Sequence, residues 1–293
     1  MEKQQNSLLN AKLSATAFAV MMIVYIFTSF LGQWVILSFA EAESAVYILF
    51  GGIFAPLSII IVVFSLKSKT KMPILEMTAF RKFNIKYLFY AVLLAVGMFF
   101  GLGFVNTLIS KLALKIGLNV GGITPPIGSA LEYILSCVVY ALLPALCEEV
   151  MFRGIMGSGL KKAGVLGCSL VSALCFALYH GSITQLVYQF AYGFLICLLF
   201  ISSKSVIPSI IAHFLNNFAI ITLYFMGIDV DLFNGYFIAL GMVCLAVFSV
   251  LMIIDKNLKK EEKEKGVAKE FILPFGVFPI IICSLLIILS AVA

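Results

Sequence analysis

The chain has 293 residues, of which 62% are hydrophobic and only 12% charged, and its mean hydropathy is +1.13. These values lie far outside the range of soluble proteins and indicate a polytopic membrane protein without a separate soluble domain. The net charge of +6 does not indicate nucleic-acid binding, because the lysines lie in loops between apolar segments.

Apolar runs of about 20 residues, long enough to cross a bilayer as helices, recur along the whole sequence. The candidate spans are residues 15–38, 46–66, 87–110, 134–157, 164–183, 184–202, 205–226, 232–254 and 271–292. The two runs between residues 164 and 202 are short and adjacent, so eight spans are an alternative to nine. The sequence predicts an all-α transmembrane helical bundle of eight to nine spans, forming a single membrane domain over residues 1–293.

The distribution of positive charge predicts the orientation of the bundle. With the N-terminus in the cytoplasm, 18 of the 20 lysines and arginines fall on the cytoplasmic side, and only Lys111 and Lys115 fall outside. This count includes Arg153, whose alternative place is inside a span. Cytoplasmic loops carry most of the positive charge in membrane proteins, so we expect this orientation. Residues 255–270 then form a solvated, charged cytoplasmic linker, with contact to anionic lipid headgroups as the alternative interpretation.

The residues whose placement in a membrane costs the most free energy are charged side chains inside an apolar run. Glu148, Glu149 and Arg153 lie within residues 134–157, where a charge near the bilayer centre costs a few kcal/mol even on mild scales. On a helix, Glu149 and Arg153 share a face and can form an ion pair, while Glu148 points about 100° away. We interpret the stretch as part of a functional site, with a structural ion-pair cluster as the alternative.

Both histidines of the chain, His180 and His213, lie in apolar runs further along. Phe176 precedes His180 by four residues and Asn217 follows His213 by four, so each pair occupies one helix face. We expect one carboxylate, two imidazoles and one carboxamide from three spans to converge on a polar cavity. The alternative is that the histidines only form hydrogen bonds between helices.

Such a set of side chains suits the hydrolysis of an amide or an ester. A carboxylate or an imidazole can act as general base on a water molecule. An imidazole and a carboxamide can donate hydrogen bonds to the developing oxyanion. Apolar surroundings make these interactions stronger than they would be in water.

In this region the chain resembles the CAAX protease and bacteriocin-processing family of intramembrane endopeptidases, which includes the type II prenyl-protein endopeptidases. The resemblance is carried by three motifs in order: EExxxR at residues 148–153, FxxxH at 176–180 and HxxxN at 213–217. Each motif alone is short, but together they use both histidines and show no departure at the motif positions. They define a motif-bearing core of about residues 134–226.

The resemblance implies a glutamate-dependent peptidase with an all-helical membrane core. By motif position, Glu148 would activate a water molecule together with His180, and His213 with Asn217 would hold the oxyanion. The supporting positions would be Glu149, Arg153 and Phe176.

We expect no cofactor. The family has also been described as metalloproteases, and two histidines with one carboxylate can bind zinc. The chain has no third histidine and lacks the His-Glu-x-x-His spacing that places zinc ligands on one helix face. A metal-free site is therefore favoured, with zinc as the alternative.

The expected partners are the lipid bilayer and a peptide substrate, either lipid-modified or membrane-bound. The style of the motifs and the compact size favour a bacterial cytoplasmic membrane. A small secreted peptide or a bacteriocin is then favoured over a prenylated CAAX tail. The alternative function is a transporter or a bacteriocin-immunity-type binding protein, in which the same buried polar residues line a substrate or proton path.

Overall fold

The computed structural model of the chain describes residues 9–41, 44–120, 124–258 and 263–292. In these ranges the regular elements are helices, and no β-strand occurs among them. In chain order they are α1 Ala11–Ile36, α2 Ala45–Thr70, α3 Ile74–Met77, α4 Lys86–Lys115, α5 Ala130–Leu160, α6 Gly164–Tyr179, α7 Leu186–Ser203, α8 Ile207–Phe225, α9 Gly235–Ile254, α10 Val267–Phe271 and α11 Val277–Val292.

Seven of the described helices are long and apolar enough to cross a bilayer, namely α1, α2, α4, α5, α7, α8 and α9. The apolar helices α6 and α11 have 16 residues each, or about 24 Å at 1.5 Å per residue, which is less than the hydrocarbon thickness of about 30 Å. Eight of the nine candidate spans each fall on one described helix, and the span 271–292 covers the last residue of α10 and all of α11. The prediction of an all-α transmembrane bundle is confirmed. The choice between eight and nine spans depends on the two short helices.

The linker predicted at residues 255–270 is only partly described, because residues 259–262 lie outside the described ranges. Its second half packs against the turn between α5 and α6, where the Glu264 backbone N–H donates to the Lys162 carbonyl over 2.8 Å. The cytoplasmic location of the linker, the cytoplasmic N-terminus and the domain limits stay predictions.

Two apolar clusters form the interior. The first joins buried faces of α1, α2, α5, α6 and α11, and the second joins α4, α7, α8 and α9. Helices α4 and α9 cross closely at Gly101 and Gly241, where a methyl group on Gly241 would overlap the Gly101 backbone. Such contacts between small residues are a usual way to pack helices in a membrane. Helix α7 contributes to both clusters, and the motif residues lie where it meets α5.

Helix α5 is widened on both sides of Glu148 and Glu149. Residues Val138–Leu142 and Val150–Gly157 form π-helical turns, and the α-helical stretch Leu143–Glu149 lies between them. Pro144 lies in the first turn of that stretch and has no N–H to donate to the Tyr140 carbonyl four residues earlier. Single π-helical turns occur frequently at functional sites because they redirect side chains. Here they flank the two glutamates.

Candidate active site

The structure brings the side chains of the three motifs together inside the bundle. His180 Nε2, at the C-terminal end of α6, lies 3.9 Å from Glu148 Oε2 on α5. His213 Nδ1 on α8 lies 2.9 Å from Glu149 Oε1. The Phe176 ring contacts both imidazoles, with centroid distances of 4.6 Å to His180 and 5.9 Å to His213. The two carboxylates therefore form two separate carboxylate–imidazole pairs.

Glu149 is the centre of a fully buried ion-pair network. Its Oε1 accepts hydrogen bonds from Arg153 Nη1 and from His213 Nδ1, both over 2.9 Å. Arg153 Nη2 donates to the Gly193 carbonyl over 3.2 Å, and the guanidinium lies 4.3 Å from the Phe176 ring centroid. Both Glu149 and Arg153 are 0% exposed, and a buried charge is tolerated only with such partners. The network fixes the rotation of His213 relative to α5.

Glu148 is almost buried, yet its Oε2 makes no hydrogen bond with the described part of the protein. Its neighbour His180 donates Nδ1–H to the Phe176 carbonyl over 2.7 Å. A carbonyl oxygen can only accept, so a neutral His180 ring carries its proton on Nδ1 and presents the lone pair of Nε2. The carboxylate and this lone pair are both acceptors, and a hydrogen-bond donor is needed between them.

Asn217 is held by its amide through a chain of hydrogen bonds. Its Nδ2 donates to the Tyr140 carbonyl over 3.3 Å, the carbonyl that Pro144 leaves without its α-helical donor. Its Oδ1 accepts from Asn216 Nδ2 over 3.3 Å, and Asn216 Oδ1 accepts from the Tyr188 hydroxyl over 2.9 Å. The π-helical turn of α5 thus positions the amide of α8, which leaves one N–H of Asn217 Nδ2 for another acceptor.

The motif analysis missed Tyr179, which lies beside His180 in the sequence and in space. Its ring lies against His180 and Phe152, with centroid distances of 5.7 Å and 5.4 Å. Its buried hydroxyl has no hydrogen-bond partner among the described residues. A buried tyrosine hydroxyl usually has a partner, so a tyrosine next to a motif histidine in an apolar run was the available sequence signal. The motif analysis also missed Pro144, Tyr140 and Tyr188.

The metal-free site stays a prediction, with zinc as the alternative. Among the described residues, no group of three or more histidine, cysteine, aspartate or glutamate side chains is arranged to hold a metal ion. The motif ligands are divided between two pairs, and the facing atoms of Glu149 and His213 are already bonded to each other.

The comparisons with known proteins identify the part of the chain that carries the site. Residues 130–219 match a protein-family model described as type II CAAX prenyl endopeptidase Rce1-like. Over these residues the chain is similar to that family. The matched segment begins at the first residue of α5 and ends within α8, so it contains all three motifs, and the family resemblance is confirmed. Comparisons with curated proteins and with solved structures found no match.

Proposed function

We infer that the protein is an intramembrane endopeptidase that hydrolyses a peptide bond of a membrane-associated peptide. The observation that carries this proposal is the pair formed by Glu148 and His180, two hydrogen-bond acceptors 3.9 Å apart within an apolar bundle. The family match to CAAX endopeptidases supports the same reaction class. A bacterial cytoplasmic membrane, and a small secreted peptide or bacteriocin as substrate, belong to the same proposal.

A water molecule supplies the donor that the Glu148–His180 pair needs. It gives one hydrogen to the Glu148 carboxylate and the other to His180 Nε2, and at normal hydrogen-bond lengths of about 2.8 Å it lies beside the line that joins them. Its oxygen is then free to attack a carbonyl carbon. Glu148 takes the proton as the C–O bond forms, and returns it to the departing amine nitrogen as the C–N bond breaks. The products are a carboxylic acid and an amine, and the carboxylate is regenerated.

The oxyanion that forms in this step is assigned to His213 and Asn217. His213 already donates Nδ1–H to Glu149, so its Nε2 can donate only when the ring is an imidazolium. The carboxylate of Glu149 stabilises that cation, and the donor becomes charge-assisted, which makes its hydrogen bonds stronger. Asn217 adds its remaining N–H. In this proposal Glu149 and Arg153 act through His213 rather than on the substrate.

The first prediction concerns the two residues of the water-binding pair. We expect Glu148→Ala and His180→Ala each to lower peptide cleavage by the purified protein in liposomes by about 10²–10⁴-fold, because general-base catalysis supplies about this factor. The control is Glu132→Gln, near the start of the same helix and far from the motifs. EDTA is expected to change the rate only weakly.

Full activity in either alanine variant would contradict the assignment, and loss of activity with EDTA that zinc restores would replace it with a metal mechanism. The same liposomes test the alternative function. Flux of a peptide or of protons that Glu148→Gln abolishes, without any cleavage by the wild-type protein, would identify a transporter. A comparison of peptide pools from cells with wild-type protein and with Glu148→Ala would then show which peptides accumulate uncut.

A further inference from the structure

A second polar site lies at the ends of three helices, away from the motif residues. It is a cavity of about 470 Å³, within the size range of small-ligand sites. The start of α4, the end of α7 and the segment after α9 meet there. Its lining residues are Lys82, Phe83, Asn84, Lys86, Tyr87, Ser203, Lys204 and Asn257. Three lysines around one cavity repel each other, and this requires an explanation.

One of these lysines is neutralised by the protein itself. Lys86 Nζ lies 2.9 Å from Asp255 Oδ2, which also accepts from the Tyr87 hydroxyl over 3.0 Å. Asp255 Oδ1 accepts from the Asn257 backbone N–H over 2.8 Å. Burial raises the pKa of Asp255, but the hydrogen bonds from Lys86, Asn257 and Tyr87 outweigh it and hold that pKa below its usual value. Asp255 is thus ionised and fully engaged.

Within the described ranges, the other two lysines, Lys82 and Lys204, have no acidic partner. No carboxylate of the described residues forms an ion pair with either. Counting the described residues, three lysine charges against the single negative charge of Asp255 leave the cavity with a net positive charge. An anionic ligand would remove this repulsion.

The helix dipoles show which of these lysines has a structural reason for its position and which do not. Lys204 follows the C-terminal end of α7, where positive charge is favourable. Lys82 and Lys86 lie at the N-terminal end of the 30-residue helix α4, where the dipole favours anions and disfavours cations. The first backbone N–H groups of α4 are already bonded to Asn84 and Ile85. Lys82 and Lys204, rather than the helix backbone, therefore provide the free hydrogen-bond donors of this cavity.

We propose that this cavity binds the phosphate group of an anionic lipid headgroup. The three helix ends place it at the boundary of the hydrocarbon region, where headgroups lie. The lysine distribution assigns this boundary to the cytoplasmic side, and basic pockets between transmembrane helices on that side bind anionic headgroups. The Asn84 amide in the lining can add neutral hydrogen bonds to phosphate oxygens. Both N–H groups of the Asn257 amide already donate within the protein, to the Tyr87 hydroxyl over 3.0 Å and to the Ser202 carbonyl over 2.9 Å. A bound headgroup also holds α4, α7 and α9 together.

The test measures lipid binding to the full-length protein in a neutral detergent by native mass spectrometry. Phosphatidylglycerol is the anionic probe, phosphatidylcholine the probe without net charge, and inorganic phosphate the soluble probe. We expect K82Q/K204Q to weaken phosphatidylglycerol binding by about 25-fold, which is ~2 kcal/mol at about 1.4 kcal/mol per tenfold. The single variant K204Q is expected to bind phosphatidylglycerol about fivefold more weakly than wild type. It replaces the double variant as the test if the double variant does not fold.

Two controls separate a built site from general surface attraction. K82R/K204R keeps both charges and should bind within about threefold of wild type. K67Q/K69Q removes the same charge from the end of α2, on the same side but outside the cavity, and should leave binding unchanged. Equal weakening by K67Q/K69Q, or unchanged binding in K82Q/K204Q, would overturn the proposal. Displacement of the lipid by millimolar inorganic phosphate would keep the phosphate site but overturn its assignment to a lipid.

Discussion

At the scale of single residues, the candidate site depends on how its buried charges are compensated. Arg153 contacts three partners at once: Glu149, the Gly193 carbonyl and the face of Phe176. A planar guanidinium can make all three contacts, whereas the ammonium group of a lysine cannot. Arg153 thereby holds Glu149 as an acceptor for His213. In the proposed reaction the ion pair therefore serves the chemistry as well as the fold.

The second prediction concerns this ion pair. Arg153→Ala leaves Glu149 as an uncompensated buried charge, and we expect a loss of ~3–5 kcal/mol of stability, together with loss of cleavage. The measurement is thermal unfolding of the purified protein. The control is Lys162→Ala, which breaks an ion pair whose side chains are 67% and 58% exposed. Exposed pairs contribute about 0–1 kcal/mol, so equal unfolding temperatures for the two variants would contradict the assigned role.

At the scale of elements, helix α5 and its π-helical turns determine where Asn217 lies. Pro144 leaves the Tyr140 carbonyl without its α-helical donor, and Asn217 Nδ2 bonds to that carbonyl. A proline within a helix costs about 3 kcal/mol relative to alanine. In α5 this unfavourable proline lies close to the two glutamates. The carbonyl that it frees positions the Asn217 amide of α8.

The third prediction changes Pro144. Pro144→Ala restores an N–H that competes with Asn217 for the Tyr140 carbonyl, so we expect a more stable protein whose cleavage rate falls by about 10–100-fold through misplacement of the amide. The readouts are unfolding temperature and cleavage by the same preparation. The control is Pro208→Ala in the first turn of α8. The backbone N–H that alanine introduces there has no acceptor within the helix. An unchanged cleavage rate in Pro144→Ala would show that this bond does not matter for catalysis.

Much of the site could be predicted from the sequence, but the hydrogen bonds that join its helices could not. The ion pair of Glu149 and Arg153 follows from their spacing of four residues. The hydrogen bond from His213 to Glu149 depends on the rotation of α8 against α5, which is a property of packing. The π-helical turns were also unpredictable, because one wider turn barely changes a pattern of apolar residues. Pro144 was the local signal for the break in helical bonding.

At the scale of the whole molecule, the site lies where the two apolar clusters meet, at the end of helix α6. This helix is about 24 Å long, which is shorter than the hydrocarbon thickness of about 30 Å. Helix α6 ends at Tyr179, so His180 stays inside the bundle rather than at its far surface. The residues between α6 and α7 include Ser182 and Thr184, whose hydroxyls are hydrogen-bonded to each other over 3.0 Å. The end of α6 thus brings a histidine to Glu148, and a polar turn follows it in the chain. For the proposed function, this position inside the bundle suits a reaction on a membrane-associated peptide.

The fourth prediction tests which side of the membrane each loop faces. The distribution of lysines predicts that Lys115, at the end of α4, lies outside the cell and that Lys69, near the end of α2, lies inside. A membrane-impermeant thiol reagent on intact cells should therefore label Lys115→Cys, and should label Lys69→Cys only after permeabilisation. The wild-type chain gives the baseline, because its described cysteines are buried or partly buried. The opposite pattern would reverse the bundle, and it would place the lysine-lined cavity and the linker outside the cell.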